Sequence, residues 1–242
     1  AHTELGVLRS DDGGLTWMQS NNGISDTQIH EVVIAPSNPL VVYAGTHSGV
    51  FRSSDGGLTW HSRTGGIGFS NVTTLDIHPT NPDVVYAGTG VQNTTNHAEH
   101  FASGFQSDDG IYRTTNGGLT WARTDDGIEE HGIVTLTSDP NLPFRFWLGG
   151  RAGRGAFMSP DGGETFLYNP SQASHYAMII AAGRQHPYPL YMTSWQRRSE
   201  LVKSEDLGGT WTSLSTQLVA GVSGESRAAG LYKDSGIPVL HL

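Results

Sequence analysis

An all-β fold, a β-propeller of four-stranded antiparallel blades, is predicted by three features of the sequence. The 242 residues include 32 glycines and 11 prolines, and only 15% are charged, which favours strands and turns over helices. One short motif with a fixed residue order recurs five times along the chain. Short runs rich in β-branched and aromatic residues surround the copies, giving four predicted strands in each unit of about 45 residues. Repeats of this length and strand content are typical of propeller blades.

The recurring motif, which we call the Asp turn, reads Ser/Thr-x-Asp-x-Gly-x-Thr-Trp, and its final aromatic residues lie 43, 61, 45 and 45 residues apart. Its glycines permit positive φ, its carboxylate and hydroxyl can accept backbone N–H groups, and its ring can pack between sheets. Two copies carry Asn116 or Phe166, which keep the hydrogen bonding or the packing, so we expect a structural role. The Asp (or Asn) and aromatic positions are Asp12 and Trp17, Asp55 and Trp60, Asn116 and Trp121, Asp161 and Phe166, and Asp206 and Trp211.

The strands of a unit are labelled A to D from the centre outward, and the Asp turn joins C to D. Complete units span about residues 27–65, 70–125, 131–169 and 174–216. The chain also opens with a C–D pair within residues 1–19 and closes with an A–B pair within residues 226–242. We therefore expect one domain over residues 1–242, a five-bladed propeller closed by pairing of these two halves, which removes open sheet edges. The alternative is a fragment of a larger propeller.

Together with its flanking strands, the Asp turn covers essentially the whole chain and resembles the Asp-box, or BNR, repeat. That repeat occurs in sialidases, sortilin-type receptors, xyloglucan-degrading endoglucanases and photosystem II assembly propellers. The resemblance implies a propeller fold. It does not imply one activity, because these families share the repeat and not the chemistry.

Composition narrows the classes of function. The formal net charge of −9 argues against a nucleic-acid partner, which requires a basic face. No apolar run approaches the roughly 20 residues of a membrane span. The chain contains no cysteine, which excludes disulfides and thiolate metal sites and suits an extracytoplasmic or secreted protein, although no signal segment opens the sequence. No cofactor is expected.

The rim opposite the Asp turns is the predicted ligand-binding surface, because its B–C connections differ from unit to unit. One connection is inserted over residues 90–108, and two others are rich in arginine, which binds carboxylates and sulfates with bidentate geometry. The alternative is that these arginines are solvated or paired with Glu129, Glu130 and Glu225. The B–C candidates are His47, Arg151, Arg154, Trp195, Arg197 and Arg198. A second ring at the tops of the A strands comprises Gln28, Asn71, His131, His175 and Arg227.

The inserted connection also contains His97, Glu99 and His100, which are weak candidates for a metal site. Their spacing lacks the His-Glu-x-x-His pattern of metalloproteases, and a His pair in a polar loop is usually solvated. We expect no bound metal.

Two functions are compatible with the sequence. The first is a non-catalytic propeller that binds a glycan or a protein partner, or assists assembly, through the rim opposite the Asp turns. The second is a sialidase- or endoglucanase-like glycoside hydrolase, which needs two carboxylates or a Tyr–Glu pair at a cleft. The Arg-Ile-Pro motif of sialidases is absent, and no spacing selects a pair among the acids. Those acids are Glu31, Asp76, Glu99 and Asp108. The binding function is therefore expected.

Overall fold

A computed structural model of the chain is entirely β in the residues that it describes. These are residues 5–68, 71–90, 110–125, 128, 133–139, 141–142, 144–150, 156–168, 177–183, 189–194 and 200–214. They form one two-stranded sheet and four four-stranded sheets, every one of them antiparallel and ordered along the chain. The all-β class and the four-stranded antiparallel sheets are as predicted.

The strands begin and end at nearly equivalent positions in each repeat unit. Sheet 1 contains β1 (Leu8–Arg9) and β2 (Met18–Gln19). Sheet 2 contains β3 (Ile29–Ile34), β4 (Val42–Thr46), β5 (Gly49–Ser53) and β6 (His61–Ser62). Sheet 3 contains β7 (Val72–Ile77), β8 (Val85–Thr89), β9 (Ile111–Thr114) and β10 (Ala122–Arg123). Sheet 4 contains β11 (Ile133–Ser138), β12 (Phe146–Gly150), β13 (Ala156–Ser159) and β14 (Leu167–Tyr168). Sheet 5 contains β15 (Ala177–Ala182), β16 (Leu190–Ser194), β17 (Glu200–Ser204) and β18 (Thr212–Ser213).

The pairing register repeats in all four complete sheets. The first residue of each inner strand pairs with the last residue of the second strand, as Ile29 pairs with Thr46 and Val72 with Thr89. A register shift follows at once in every sheet, which inserts one extra residue into the inner strand. A bulge of this kind changes the direction of a side chain. Each inner strand therefore has one residue that departs from the regular alternation of side chains between the two faces of the sheet.

The inner strands contact one another in chain order, β3 with β7, β7 with β11, and β11 with β15. The core lies in the layers between these successive sheets. Tyr43 and Tyr86 are fully buried in two of those layers, and Leu190 and Met192 are fully buried in a third. Burying each side chain of this size contributes about 1.5–3 kcal/mol, so the contacts between sheets are the main source of stability.

One rim of the molecule carries both the A–B turns and the Asp turns. Backbone hydrogen bonds join the two turns within each of three sheets. Gly56 N donates to Leu40 O at 2.8 Å, Gly117 N to Asp83 O at 3.0 Å, and Gly162 N to Phe144 O at 2.7 Å. The second strands therefore end, and the third strands begin, at the opposite rim, as the fold class predicts.

Closure of the ring stays a prediction. Residues 226–242, which were expected to pair with β1, lie outside the described residues. Within the described chain, sheet 1 consists of β1 and β2 alone, and Trp17 and Met18 are 60% and 61% exposed. The five-blade count and the blade boundaries therefore stay predictions.

Candidate functional site

The Asp turn holds its carboxylate in a closed set of hydrogen bonds. In the second copy, Asp55 Oδ1 accepts the Ser53 hydroxyl at 2.7 Å and the Thr59 amide at 2.9 Å, and Oδ2 accepts the Thr59 hydroxyl at 2.5 Å. These bonds, led by the Thr59 hydroxyl, lower the pKa of Asp55. The same bonds, at similar lengths, surround Asp12, Asp161 and Asp206. A carboxylate engaged in this way serves the turn and has little capacity left for a substrate.

The copy with asparagine keeps the network with one bond reversed. Asn116 Oδ1 accepts the Thr114 hydroxyl at 2.9 Å and the Thr120 amide at 3.0 Å. Its Nδ2 donates to the Thr120 hydroxyl oxygen at 2.8 Å, where the other copies have that hydroxyl donating to a carboxylate. Charge is therefore dispensable at this position, and the geometry supports the predicted structural role.

The Trp of the turn joins one sheet to the preceding one. Trp60 Nε1 donates to Ser20 O at 2.8 Å, and Trp121 Nε1 donates to Arg63 O at 2.6 Å. Both rings are buried, with exposed fractions of 2% and 7%. Trp17 and Trp211 differ, because each indole donates within its own turn, to Gly14 O and to Gly208 O.

Two acids from the sequence-based candidates lie on adjacent inner strands. Glu31 Oε2 on β3 accepts the Leu75 amide of β7 at 2.6 Å, and Asp76 Oδ2 on β7 accepts the Ser138 hydroxyl of β11. Burial raises the pKa of Asp76 to about 7, the Ser138 hydrogen bond opposes that rise, and the negative charge of Glu31 adds to it. Burial also raises the pKa of Glu31. Each acid therefore bridges two sheets, and the two interact electrostatically.

The bulged residues of the inner strands form a second series of bridges. His30 Nδ1 lies 2.8 Å from Val72 O, and the Thr73 hydroxyl donates to Ile133 O. The two contacts are equivalent, since each links the bulge of one inner strand to the first residue of the next. Sequence reasoning missed these bridges, because the partner of each bulged residue lies 42 or 60 residues away in the sequence.

The opposite rim begins with His47 and Ser48, the exposed turn between β4 and β5. His47 N donates to Gln28 O at 3.1 Å, and Gly90 N donates to Asn71 O at 3.1 Å. The same backbone hydrogen bond therefore recurs at this rim in sheets 2 and 3. The His47 ring lies edge-on to the His30 ring with 6.4 Å between their centroids. Gln28 is exposed, whereas the Asn71 side chain is 4% exposed and donates to Gly90 O at 2.6 Å. Asn71 is thus part of the scaffold rather than an open polar position.

Most of the other predicted site residues lie outside the described part of the chain. This holds for Arg151, Arg154, Trp195, Arg197, Arg198, His131, His175 and Arg227, and for the weak metal candidates His97, Glu99 and His100. Among the residues that are described, no group of three or more His, Asp or Glu side chains could hold a metal ion. None of the described segments is a helix long and apolar enough to cross a membrane.

A second arginine position, not predicted from the sequence, lies on the third strand of the sheets. Arg52 on β5 lies over the Tyr43 ring at 5.7 Å, donates to the Tyr43 hydroxyl at 3.1 Å, and pairs with Asp83 of the next sheet at 3.1 Å. Arg113 on β9 occupies the matching position and lies over the Tyr86 ring at 5.9 Å. A comparison of "FRS" with "YRT" in the repeat would have found this pair.

Comparison with solved structures identifies β-propeller proteins. An ancestral GH74 enzyme matches with a TM-score of 0.68 and 16% identity over 89% of this chain and 29% of its own. The GH74 xyloglucanase from Xanthomonas campestris matches with a TM-score of 0.66 and 17% identity over 88% of this chain and 35% of its own. YCF48 bound to D1 peptide matches with a TM-score of 0.55 and 16% identity over 86% of this chain and 61% of its own.

These likenesses show the fold and no more, because fold does not fix function. The chain is a β-propeller, as predicted from the repeat, and it spans about a third of the length of the GH74 enzymes that it matches. No family model matches the sequence, and no curated protein is similar to it.

Proposed function

We propose that the chain is a non-catalytic binding or assembly propeller that takes a protein or an anionic glycan on the rim opposite the Asp turns. One observation carries the proposal. The two carboxyl groups that the described inner strands bring together, Glu31 and Asp76, both accept hydrogen bonds from the neighbouring sheet. A glycosidase needs one carboxylic acid and one carboxylate turned toward the substrate, whereas these groups serve the contacts between sheets.

The proposed binding surface follows from the difference between the two rims. On the Asp-turn rim, the same hydrogen bonds recur from sheet to sheet, so that rim is uniform. On the other rim, two residues link β4 to β5, whereas the chain from β8 to β9 passes through residues 90–110. Unequal loops on a repeated scaffold are where specificity resides. The proposed ligand-binding residues are His47, Arg151, Arg154, Trp195, Arg197, Arg198, His131, His175 and Arg227.

The proposal includes the type of repeat, the number of blades and the closure of the ring. The repeat is an Asp-box repeat, the single domain over residues 1–242 has five blades, and residues 226–242 pair with the strands within residues 1–19 to complete one of them. The absence of cysteine supports a location outside the cytoplasm. The likeness to YCF48 bound to a peptide supports a protein partner, and the arginines support an acidic one.

Paired arginine variants test the binding surface. R151A/R154A and R197A/R198A each remove two positive charges from the proposed rim. We expect each to weaken binding of polygalacturonate, an acidic polysaccharide, at least tenfold with no change in unfolding temperature. The matched control is R9A/K203A, which removes two charges from the ion pairs with Asp11 and Glu205. Equal affinity in all three variants would contradict the proposed surface.

A second candidate, a glycoside hydrolase, is favoured by one observation. Glu31 and Asp76 interact on adjacent inner strands, and burial raises the pKa of both. Acid–base catalysis uses carboxyl groups with raised pKa. The test is release of reducing ends from xyloglucan, and of chromophore from aryl glycosides, by the wild-type protein and by D76N. We expect no turnover by either protein. Turnover that disappears in D76N would establish the hydrolase and overturn the binding proposal.

A further inference from the structure

A cavity of about 230 Å³ lies at the outer edge of sheet 3, away from the proposed binding rim. Its walls come from β9, β10 and the Asp turn between them. The lining residues are Arg113, Thr115, Thr120, Trp121, Ala122, Arg123 and Thr124. Its size is below the range of about 300–1,000 Å³ typical for drug-sized ligands, so it suits a single polar group rather than a whole small molecule.

Arg113 provides the cationic group of this cavity. Its Nε is buried and has no hydrogen-bond partner among the described residues. Its guanidinium makes no ion pair within that part of the chain, and its described contact is the Tyr86 ring. Because this Nε is enclosed, a ligand in the cavity would bind the terminal guanidinium nitrogens rather than Nε.

The matching position one sheet earlier shows which acceptor fits. There, Arg52 Nε donates to the Tyr43 hydroxyl at 3.1 Å, and its Nη2 pairs with Asp83 from the A–B turn of the next sheet at 3.1 Å. An added Cβ on Gly117 would meet Asp83 at 2.9 Å and Arg52 at 3.4 Å. An added Cβ on Gly162 would meet Phe144 at 3.5 Å and Arg113 at 3.9 Å.

The contact between sheets 2 and 3 therefore matches the contact between sheets 3 and 4. Phe144 stands in the second contact where the Asp83 carboxylate stands in the first. Phe144 is 54% exposed and packs beside His78, with 5.2 Å between the ring centroids. An aromatic ring cannot accept the hydrogen bonds that the carboxylate accepts. Substitution at this one position thus leaves Arg113 without the partner that Arg52 has.

The other charged groups that the structure describes near the cavity are already engaged. Arg123 forms a bidentate pair with Asp125 at 2.6 and 3.0 Å. Asp161 accepts three hydrogen bonds within its own Asp turn. Burial, and secondarily the charge of Arg113, lowers the pKa of His78, which disfavours a second positive charge beside Arg113. The Thr120 hydroxyl accepts a bond from Asn116, which leaves its proton available to a ligand.

We propose that this cavity binds a carboxylate of an acidic peptide segment, with Arg113 as its cationic partner and Thr120 as a supporting donor. The ligand chemistry is the one that the chain itself uses at Arg52. The site is independent of the rim proposed above, since it shares no residue with it and lies on the Asp-turn side of the molecule.

Calorimetric titration of the full chain with N-acetyl-aspartate amide tests the site, with N-acetyl-asparagine amide as the neutral control. We expect the wild-type protein to bind the aspartate derivative at least tenfold more tightly than the asparagine derivative. R113M should lose this preference, whereas R9A, which removes a partly exposed arginine, should keep it. No preference in the wild-type protein, or an unchanged preference in R113M, would overturn the proposal.

F144D provides a test that does not depend on the folding of R113M. Its carboxylate should occupy the position that Asp83 holds beside Arg52, so we expect a higher unfolding temperature and loss of aspartate-derivative binding. F144N, with a neutral side chain of the same shape, should do neither. An F144D protein that still binds the derivative as the wild type does would overturn the proposal. Inorganic phosphate bound tenfold more tightly than the aspartate derivative would overturn the assignment to a carboxylate.

Discussion

Asp76 on β7 accepts a hydrogen bond from the Ser138 hydroxyl on β11, so a carboxyl group of one inner strand is bonded to the next sheet. Glu31 makes a comparable bridge one sheet earlier, to the Leu75 amide at 2.6 Å. The two acids also repel each other when both are ionised, and burial disfavours either charge. The contact between these sheets is therefore sensitive to the protonation of Asp76.

We predict that stability falls as the pH rises from about 4 to about 7. Burial raises the pKa of Asp76 from 3.8 to about 7 in the folded protein. Between these values the folded state holds a proton that the unfolded chain has lost, so the stabilisation is complete below 3.8 and disappears above about 7. A shift of this size corresponds to at most about 4 kcal/mol in the free energy of unfolding.

Urea unfolding at several pH values measures this dependence. D76N keeps a neutral side chain at every pH, so its free energy of unfolding should vary less between about pH 5 and pH 8 than that of the wild type. D11N, which removes an exposed carboxylate paired with Arg9, is the control and should retain the wild-type slope. Parallel curves for D76N and the wild type would contradict the prediction.

The second prediction concerns the indole that links two sheets. Trp121 Nε1 donates to Arg63 O at 2.6 Å, and W121F removes this donor while keeping an aromatic ring. We expect W121F to lose about 1 kcal/mol from the hydrogen bond and W121A to lose about 3–5 kcal/mol from the buried ring. Chemical denaturation gives both values. W17F is the matched control, because Trp17 is 60% exposed and donates only within its own turn, and it should change stability by less than about 0.5 kcal/mol.

The scaffold was predictable because the geometry of the repeated motif follows from its own residues. The Ser, Asp, Gly and Thr of the Asp turn satisfy one another locally, so their bonds follow from residue type and spacing alone. Asp76 was less predictable. A mid-strand acid can face the centre or bond to a neighbour, and the Ser138 partner lies 62 residues away in the sequence.

Arg113 was missed for a related reason. The environment of an arginine at this position depends on the A–B turn of the next sheet, which places Asp83 beside Arg52 and Phe144 beside Arg113. That contact joins segments from different repeats. The loops of the opposite rim were recognised as irregular, but a loop without repeat or alternation carries no local information about its conformation. Sequence reasoning therefore identified the rim without predicting the arrangement of its loops.

The third prediction compares two glycines that both have a positive φ and differ in their surroundings. Gly23 has a φ of 95°, and an added Cβ would lie 2.0 Å from Trp60 O. Gly13 has a φ of 73°, and an added Cβ would meet nothing within 4 Å. G13A should cost about 1–2 kcal/mol for the left-handed conformation alone. G23A should cost more than about 3 kcal/mol, because it also separates sheet 1 from the Trp60 backbone that bonds to Asn22 O at 2.8 Å. Urea unfolding of both variants gives the difference, and equal losses would mean that sheet 1 is not held in place by this contact.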